Sequence, residues 1–235
     1  MAAAAPIIAL VAAGLALVGV LFAWLGVVTP LVGFQTFAAG ALLGGFFATV
    51  VALIGLFLSR GGKDPAGFQK SLMGLALALG LLIVVLGAAA TGGDAPPIND
   101  ITTDLDSPPA FADAALVPEY ADRDMSYPAE FVEIVRESYP DLAPLAVPDA
   151  PADALLRAER AAESLGWEVV AKDGSRGTLY ARDETALFRF VDDVVVRVTP
   201  TDDGSLIDVR SKSRDGQGDL GANAARIRAL LEALQ

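Results

Sequence analysis

The sequence predicts a membrane-anchored α+β protein, in which three N-terminal transmembrane helices precede an antiparallel sheet with helices packed on one face. Residues 1–93 hold three basic residues and one acidic residue, whereas residues 94–235 hold fourteen basic and twenty-eight acidic residues. The first part contains long apolar runs, and the second contains strand patterns separated by short turns. We therefore expect a membrane block at 1–93, a proline-rich strap or linker at 94–151 and an outer α+β domain at 152–235. The last two would form one unit.

The membrane block divides into three apolar runs, at about residues 6–28, 34–58 and 71–90. Each is long enough to cross a hydrocarbon core of roughly 30 Å. The first run is too long for a signal peptide and has no basic residue before it, so we interpret it as a span. Arg60, Lys63 and Lys70 charge the loop before the third run, which places that loop in the cytoplasm. The N-terminus is then cytoplasmic, and the C-terminal domain lies outside.

The predicted spans carry small residues but no charged ones. Gly40 and Gly44 form a GxxxG pattern, which lets helix backbones approach closely. The pattern can serve packing among the three spans, oligomerisation or attachment to a larger membrane assembly. Because ion pathways and proton relays need ionisable groups inside the membrane, we interpret the block as an anchor.

Residues 94–151 contain ten prolines, which exclude long regular elements. A short helix fits residues 128–138. The segment is either a spacer that holds the outer domain off the bilayer or a strap wrapped on the domain surface. Its apolar residues favour the strap, because a free linker would expose them. They are Ile98, Ile101, Leu105, Phe111, Leu116, Tyr120, Phe131 and Tyr139.

The outer domain is predicted to contain two amphipathic helices and four strands. The first helix covers Asp153–Leu165, with an apolar stripe of Leu155, Leu156, Ala162 and Leu165. The second covers Leu220–Leu234, with a stripe of Ile227, Leu230, Leu231 and Leu234. The strands cover Trp167–Ala171, Gly177–Arg182, Ala186–Thr199 and Ser205–Ser213. Short turns between them imply antiparallel pairing, so both helices would cover one face of the sheet.

Alternation along the strands predicts an arginine-rich open face opposite the helices. The side chains expected toward the helices are Phe188, Phe190, Val194, Val196, Val198, Ile207, Val209 and Ser211. Those expected on the open face are Tyr180, Arg182, Arg189, Asp193, Val195, Arg197, Asp208, Arg210, Lys212 and Arg214. A bulge at Asp192–Asp193 would invert half of the assignment. The face is either a contact surface or a solvated one with cross-strand pairs such as Asp208 with Arg197.

The start of the last helix offers a second basic feature. Asp219 is a good N-cap, and Gly221 allows close backbone approach in the first turn. Asn223 lies on the apolar stripe of the helix, so we expect it to tie the helix to the preceding turn or to the strap. Helix N-termini attract anions, and with Arg214 and Arg226 nearby a phosphate or carboxylate could bind there. The alternative is a purely structural cap.

The residues that the sequence lacks narrow the chemistry. There is no histidine and no cysteine, which removes thiol nucleophiles, thiolate metal sites and the usual general base. The acidic outer domain repels nucleic-acid phosphates, so nucleic acid is not an expected partner. We assign no catalytic residue, no metal site and no cofactor. An alternative acidic site, for acid–base work or a divalent metal, would use carboxylates among Asp100, Asp104, Asp192, Asp193 and Asp219.

Three motifs resemble one known family. They are ITTDLDSPPAF (101–111), FRFVDDVVVRVTP (188–200) and IDVRSKSRDGQGDLGANAARI (207–227). In this order they resemble the bacterial and plastid family catalogued as domain of unknown function 1499, over roughly residues 96–234. The resemblance implies a membrane-associated outer domain and no established reaction. The positions that match the motifs are Asp100, Thr102, Thr103, Asp104, Pro108, Pro109, Asp192, Asp193, Arg197, Arg210, Ser211, Ser213, Arg214, Asp219, Gly221, Asn223 and Arg226.

These observations favour a non-enzymatic protein of the bacterial inner membrane with a periplasmic binding or interaction domain. Its expected partners are the bilayer itself and an envelope protein, a lipid headgroup or another anionic ligand. The candidate binding residues are Arg197, Arg210, Lys212, Arg214 and Arg226. The alternatives are a carboxylate-based or divalent-metal-dependent enzyme and an accessory subunit of a larger membrane assembly.

Overall fold

The structure, a computed structural model of the chain, describes residues 4–62, 64–90 and 92–235. These residues form two compact units: Met1–Gly93 with Ala186–Arg189, and Asp94–Thr185 with Phe190–Gln235. Lys63, one of the basic residues that predict the orientation of the chain, lies outside the described residues.

The first unit contains three helical segments that are long and apolar enough to span a membrane: Ala4–Trp24, Pro30–Ser59 and Pro65–Ala88. The helices are α1 (Ala4–Trp24), α2 (Pro30–Ala38), a π-helical stretch (Ala39–Gly44), α3 (Gly45–Ser59) and α4 (Pro65–Ala90). Thr29 caps α2, and Pro30 takes its first position, where a missing N–H costs nothing. The three predicted helices are confirmed, but α4 begins earlier than expected, so Lys70 lies inside it rather than in the loop.

The GxxxG pattern packs against α1 within the chain. A methyl group added to Gly40 would lie 2.7 Å from the backbone nitrogen of Ala16, and one added to Gly44 would lie 2.6 Å from Cβ of Ala12. Side chains larger than hydrogen would therefore push the two helices apart. The small residues serve packing among the spans, which was the first of their expected uses.

The second unit is built on an antiparallel sheet in the order β1-β6-β5-β4-β3, with β2 also pairing with β6. The strands are β1 (Asp100–Thr102), β2 (Leu145–Val147), β3 (Glu168–Asp173), β4 (Thr178–Glu184), β5 (Val191–Thr201) and β6 (Gly204–Ser213). The predicted α+β class with an antiparallel sheet is confirmed. The proline-rich segment adds two short strands, β1 and β2, that were not predicted.

The predicted start of the long strand is wrong, and the bulge considered within it is absent. It begins at Val191, so Phe188, Arg189 and Phe190 precede it, and their expected faces do not apply. The strand also pairs without interruption through Asp192 and Asp193, so no bulge occurs there. The shift in register lies instead in β3, between Val169 and Ala171.

One face of the sheet, here called the helix face, is covered by α5 (Phe131–Ser138), α6 (Pro151–Ser164) and α7 (Ala222–Ala233). The α7 stripe packs as predicted, with Ile227, Leu230 and Leu234 buried. The α6 stripe differs: Leu156 and Leu165 are exposed, and alanines at every third or fourth position face the sheet instead. Alanine has the smallest side chain that still favours helix, so α6 lies close to the strands.

The opposite face, here called the strap face, is covered by the middle of the proline-rich segment, residues 103–130, and from here on the word strap means these residues. Val117 and Tyr120 of the strap pack against Tyr180 of β4 and Val195 of β5, and the ring of Phe111 contacts that of Tyr120 edge-on at 5.5 Å. The face that was expected to be open is therefore covered. Irregular, proline-rich chain has no periodicity that would have shown where it lies.

Candidate functional site

The predicted alternation along β6 is correct, although its consequence is not. Ile207 and Val209 belong to the core under the helices, while Arg210 lies opposite Val195 of β5 and Thr102 of β1. The side chain of Arg210 thus points to the strap face, as the sequence predicted. The strap then buries it, so it offers no exposed guanidinium for a partner.

Arg210 forms a bidentate ion pair with Asp100 of β1. Nε donates to Oδ1 at 2.9 Å and Nη2 donates to Oδ2 at 2.7 Å, while the two side chains are 2% and 0% exposed. A buried pair of this kind persists when the remaining donors are also satisfied. The guanidinium donates further to the strap carbonyls of Pro109, Met125 and Ser126, at 3.2, 3.0 and 3.0 Å. Arg210 therefore fastens two separate parts of the strap to the sheet.

Three more cations lie around this pair. Lys212 Nζ is 3.1 Å from Asp100, and Asp193, 1% exposed, lies between Arg123 at 2.7 Å and Arg214 at 2.6 Å. Four cations thus share two buried carboxylates among the ion pairs of the described residues. We call Arg123, Arg210, Lys212 and Arg214 the basic cluster; it carries two positive charges more than its carboxylate partners.

Arg197 stands apart from the basic cluster. Its Nη2 lies 2.8 Å from Asp104 of the strap and 2.9 Å from Asp208 of β6. The cross-strand pair of Asp208 with Arg197, one of the two interpretations of this face, is therefore present. Burial raises the pKa of Asp208 above 3.8, and the hydrogen bond from Arg197 partly opposes that shift.

The helix face holds a separate polar network around Arg226. Its Nη2 lies 2.7 Å from Asp192 and 2.8 Å from Asp183, and its Nη1 donates to Asn223 Oδ1 at 2.9 Å. Burial raises the pKa of Asp192 above 3.8, while the charge of Arg226 lowers it. Arg226 is therefore enclosed by its own partners and is not an exposed binding residue.

Asn223 is fully buried and uses both ends of its amide. Oδ1 accepts from the Ser211 hydroxyl at 2.6 Å, and Nδ2 donates to the Ser213 hydroxyl at 2.9 Å and to the carbonyl of Asn99 at 3.2 Å. The side chain thereby joins α7 to β6 and to the chain just before β1. This is the structural role that the sequence predicted for it.

The start of α7 is occupied by protein groups. The Asp219 carboxylate accepts from the N–H groups of Gly221 and Asn223 at 2.8 and 2.7 Å. The N-cap is Gly221 itself, with φ +83°, so it is needed for a left-handed backbone rather than for a close approach. Arg214 and Arg226 pair on opposite faces of the sheet, so they do not form the expected anion site at this terminus.

The candidate acidic residues do not converge. Asp100 pairs with Arg210, Asp104 with Arg197, Asp192 with Arg226 and Asp193 with Arg214. Among the described residues, no group of three or more carboxylates has the spacing of a metal site. The geometry gives the acidic-site alternative no shared pocket.

A cleft of about 440 Å³ opens on the strap face, within the size range of small-molecule sites. We call it the strap cleft. It lies between the strap stretches 108–114 and 120–127, and its lining includes Arg210 and Arg123 of the basic cluster. The aromatic side chains Phe111, Tyr120 and Tyr127 and the thioether of Met125 also line it.

The two tyrosines of the strap cleft have unusual hydroxyls. Those of Tyr120 and Tyr127 are buried without a hydrogen-bond partner among the described residues. Burial raises the pKa of both phenols well above 10.0, so they remain neutral donors. A buried hydroxyl without a partner loses roughly 1–3 kcal/mol of solvation, which makes such a pair at one cleft a functional signal.

Sequence reasoning did not assign Arg123, Tyr127 or the cleft, and it treated Tyr120 and Phe111 only as apolar anchors. Their common signal is position: all lie in the proline-rich segment, where aromatic and basic residues occur without helix or strand periodicity.

Comparison with known proteins places the second unit in a family. No curated protein matches the chain. The family described as a protein of unknown function (DUF1499) matches residues 100–234, which include β1, the strap, the basic cluster and α7. More than half of the chain is covered, and three helices of membrane-spanning length precede the matched region. The chain belongs to the DUF1499 family.

Proposed function

We propose that this chain is a membrane-anchored binding protein, whose outer domain receives an anionic group in the strap cleft on the periplasmic side of the inner membrane. The observation that carries the proposal is the basic cluster, in which four cations share two buried carboxylates beside a cleft. The anionic group can belong to a free small molecule, a lipid or an envelope protein, since all would present the same charge.

Charge elsewhere in the domain supports the cleft as the place for an anion. Residues 94–235 carry a net charge of −14, and at least twelve of their fourteen basic residues form ion pairs among the described residues. The basic cluster, with more cations than carboxylates in its ion pairs, lies close to low-dielectric protein, where fields are less screened than in water.

We propose that the strap both shapes the cleft and supplies the group that contacts the ligand. Arg210 is held by Asp100 and by strap carbonyls, so it supplies charge and keeps the cleft walls in place without contacting the ligand. Arg123 is only partly buried and uses one nitrogen for Asp193. Its other N–H groups are the direct cationic donors to a ligand.

The cleft assignment is tested by filling the cleft. Ala114 is exposed and lines the cleft, whereas its exposed neighbour Ala115 does not. The full chain released from its native membrane would be examined by native mass spectrometry as wild type, Ala114→Trp and Ala115→Trp. We expect a bound anionic compound in the wild type and in Ala115→Trp, and its loss in Ala114→Trp. The same bound compounds in all three proteins, or none in any, would contradict the proposal.

The orientation is tested separately. A reporter that is active only outside the cytoplasm, fused after Gln235, should be active, because the basic loop around Arg60 holds the second and third spans in the orientation that exports the outer domain. Reversing the charge on both sides of that loop, with Arg60→Glu at its start and Lys70→Glu in the first turns of α4, should lower reporter activity. A silent fusion to the unaltered chain would place the outer domain in the cytoplasm.

A further inference from the structure

We infer that the ligand of the strap cleft is an organic carboxylate with an apolar body, bound through the hydroxyls of Tyr120 and Tyr127 and the guanidinium of Arg123. The inference rests on the proposed function and names its ligand class. It comes from three properties of the cleft: which hydrogen-bonding groups remain unused, what the walls are made of, and how much charge is left over.

The buried side-chain groups of the lining that remain unused are hydroxyls, which can donate. The carbonyls of Pro109, Met125 and Ser126, which would accept from a ligand, already accept from Arg210. The hydroxyls of Tyr120 and Tyr127 have no partner among the described residues. A hydroxyl can donate or accept, whereas the N–H groups of Arg123 only donate, so together these groups suit a ligand with several acceptors. A carboxylate brings two oxygens that accept from several donors at once.

The walls are partly apolar. Pro108, Phe111, Ala112 and Met125 contribute to the lining together with the polar groups. An inorganic anion would use the donors and leave this apolar surface in water. A ligand with a carboxylate at one end and an aliphatic body removes both from water, which accounts for the mixed lining.

The charge favours a monoanion. The basic cluster has an excess of two positive charges, but Lys212 and Arg214 do not line the cleft and Asp113 lies on its lining. Of the charged groups on the lining, Arg123 and Arg210 are each paired with a buried carboxylate, and Asp113 adds a negative charge. A carboxylate carries one negative charge, so Asp113 repels it less than it would a doubly charged phosphate.

The two hydroxyls are buried, so a ligand reaches them only when a side chain of the lining moves. Met125 is the side chain that can move. Its side chain lines the cleft and packs against the cluster that contains Tyr120, Tyr180 and Val195. Methionine is unbranched and flexible, so it can repack without a change in the strap backbone.

The test measures hexanoate binding by equilibrium dialysis against the full chain in lipid nanodiscs. Hexanoate that is still taken up by nanodiscs with Ala114→Trp, whose cleft is filled, is bound by the bilayer and is subtracted. We expect saturable binding to the wild type and to Ala115→Trp. Replacing Tyr120 and Tyr127 together by Phe should weaken binding at least tenfold, because each loses a hydrogen bond to a charged acceptor. The melting temperature should not fall, because neither hydroxyl has an internal partner to lose.

A matched control is Tyr139→Phe. The Tyr139 hydroxyl is also buried without a partner, but it lies beside α7 and does not line the cleft, so hexanoate affinity should not change. Hexanol, which has the same body without the charge, should bind at least tenfold more weakly than hexanoate.

The outcomes separate the two proposals. If inorganic phosphate binds and Ala114→Trp removes that binding while hexanoate does not bind, the carboxylate inference is wrong and the anion-binding cleft stands. If the two tyrosine substitutions leave hexanoate affinity unchanged, the inference is also wrong. If neither anion binds in a manner that Ala114→Trp removes, both the inference and the proposed function fail.

Discussion

The two faces of the sheet bury arginine in different ways, and neighbouring aspartates show the contrast. Asp192 faces the helices, where Arg226 has two carboxylates, Asp192 and Asp183, within 2.8 Å. Asp193 faces the strap, where Arg123 and Arg214 share it. In these ion pairs the helix face has two carboxylates for one arginine, whereas the basic cluster on the strap face has four cations for two carboxylates.

The difference suits a structural role for the helix face and the proposed binding role for the strap face. On the helix face the amide and hydroxyl partners of Arg226 complete a closed network, and helices cover it. On the strap face the cations outnumber their carboxylates, and the cover is an irregular segment with a cleft. A buried charge that lacks a partner of opposite charge lowers the stability of the fold. Its presence at a cleft therefore points to a ligand that supplies the opposite charge.

The largest expected effect comes from removing a carboxylate on the strap face. Asp100→Asn leaves Arg210 and Lys212 without their shared partner in a buried site, and we expect a loss of about 3–5 kcal/mol in the free energy of unfolding. Guanidinium denaturation would be followed through the fluorescence of Trp167, which is buried in the core of the outer domain, in a Trp24→Phe background.

The matching change on the helix face is Asp192→Asn. Arg226 keeps Asp183 and Asn223, so the expected loss is smaller, about 1–2 kcal/mol. Equal losses for the two variants would show that the faces compensate their charges to the same degree, and the contrast would then have no energetic meaning.

The sequence predicted the sheet and the direction of its side chains, because alternation and stripe spacing are local. Val209 and Arg210 are correctly assigned to opposite faces from their positions alone. Burial of Arg210 could not be predicted in this way, because it depends on Asp100 and on strap carbonyls about a hundred residues earlier in the chain. An arginine on a strand is usually exposed. Arg210 is buried because its partners, which are distant in sequence, satisfy its charge and its N–H groups.

The candidate site was half predicted for the same reason. Arg210, Lys212 and Arg214 were identified as a group because they alternate on one strand. Arg123 and Tyr127 lie near them only because of the path of the strap. Its prolines exclude regular elements, so the sequence has no periodicity from which that path could be predicted. The local signal for α7 was stronger: Asn223 has the role that its position predicted, and Asp219 accepts from the first N–H groups of the helix although Gly221, not Asp219, is the N-cap.

A change of intermediate size tests the helix face without altering charge. Gly221 has φ +83°, and an added Cβ would meet only ordinary contacts, so Gly221→Ala isolates the cost of the left-handed backbone. We expect a loss of about 1–2 kcal/mol in the free energy of unfolding and no change in ligand binding at the strap cleft. Gly174→Ala, in a turn with open space around it, is the control and should leave stability almost unchanged. A loss of binding in Gly221→Ala would mean that the two faces are coupled.

The smallest expected effect is a difference in pH dependence between the faces. Burial raises the pKa of Asp208 on the strap face, whereas the hydrogen bond from Arg228 lowers that of Asp141, at the end of α5. With a raised folded pKa, the folded state binds more protons than the unfolded state, so stability from Asp208 is present below pH 3.8 and is lost as the pH rises through the folded pKa. With a lowered one, stability from Asp141 is present above pH 3.8 and is lost as the pH falls through the folded pKa.

Melting temperatures between about pH 2.5 and pH 6 should therefore change in opposite directions when wild type is compared with each variant. Relative to Asp208→Asn, the wild type should become less stable as the pH rises. Relative to Asp141→Asn, it should become more stable. The informative quantity is how the difference in melting temperature between wild type and variant changes with pH. Its size at any one pH is not informative, because Asp208→Asn also weakens the contact with Arg197. Slopes of the same sign would show that Arg197 compensates Asp208 as fully as Arg228 compensates Asp141, which would confine the uncompensated charge of the strap face to the basic cluster.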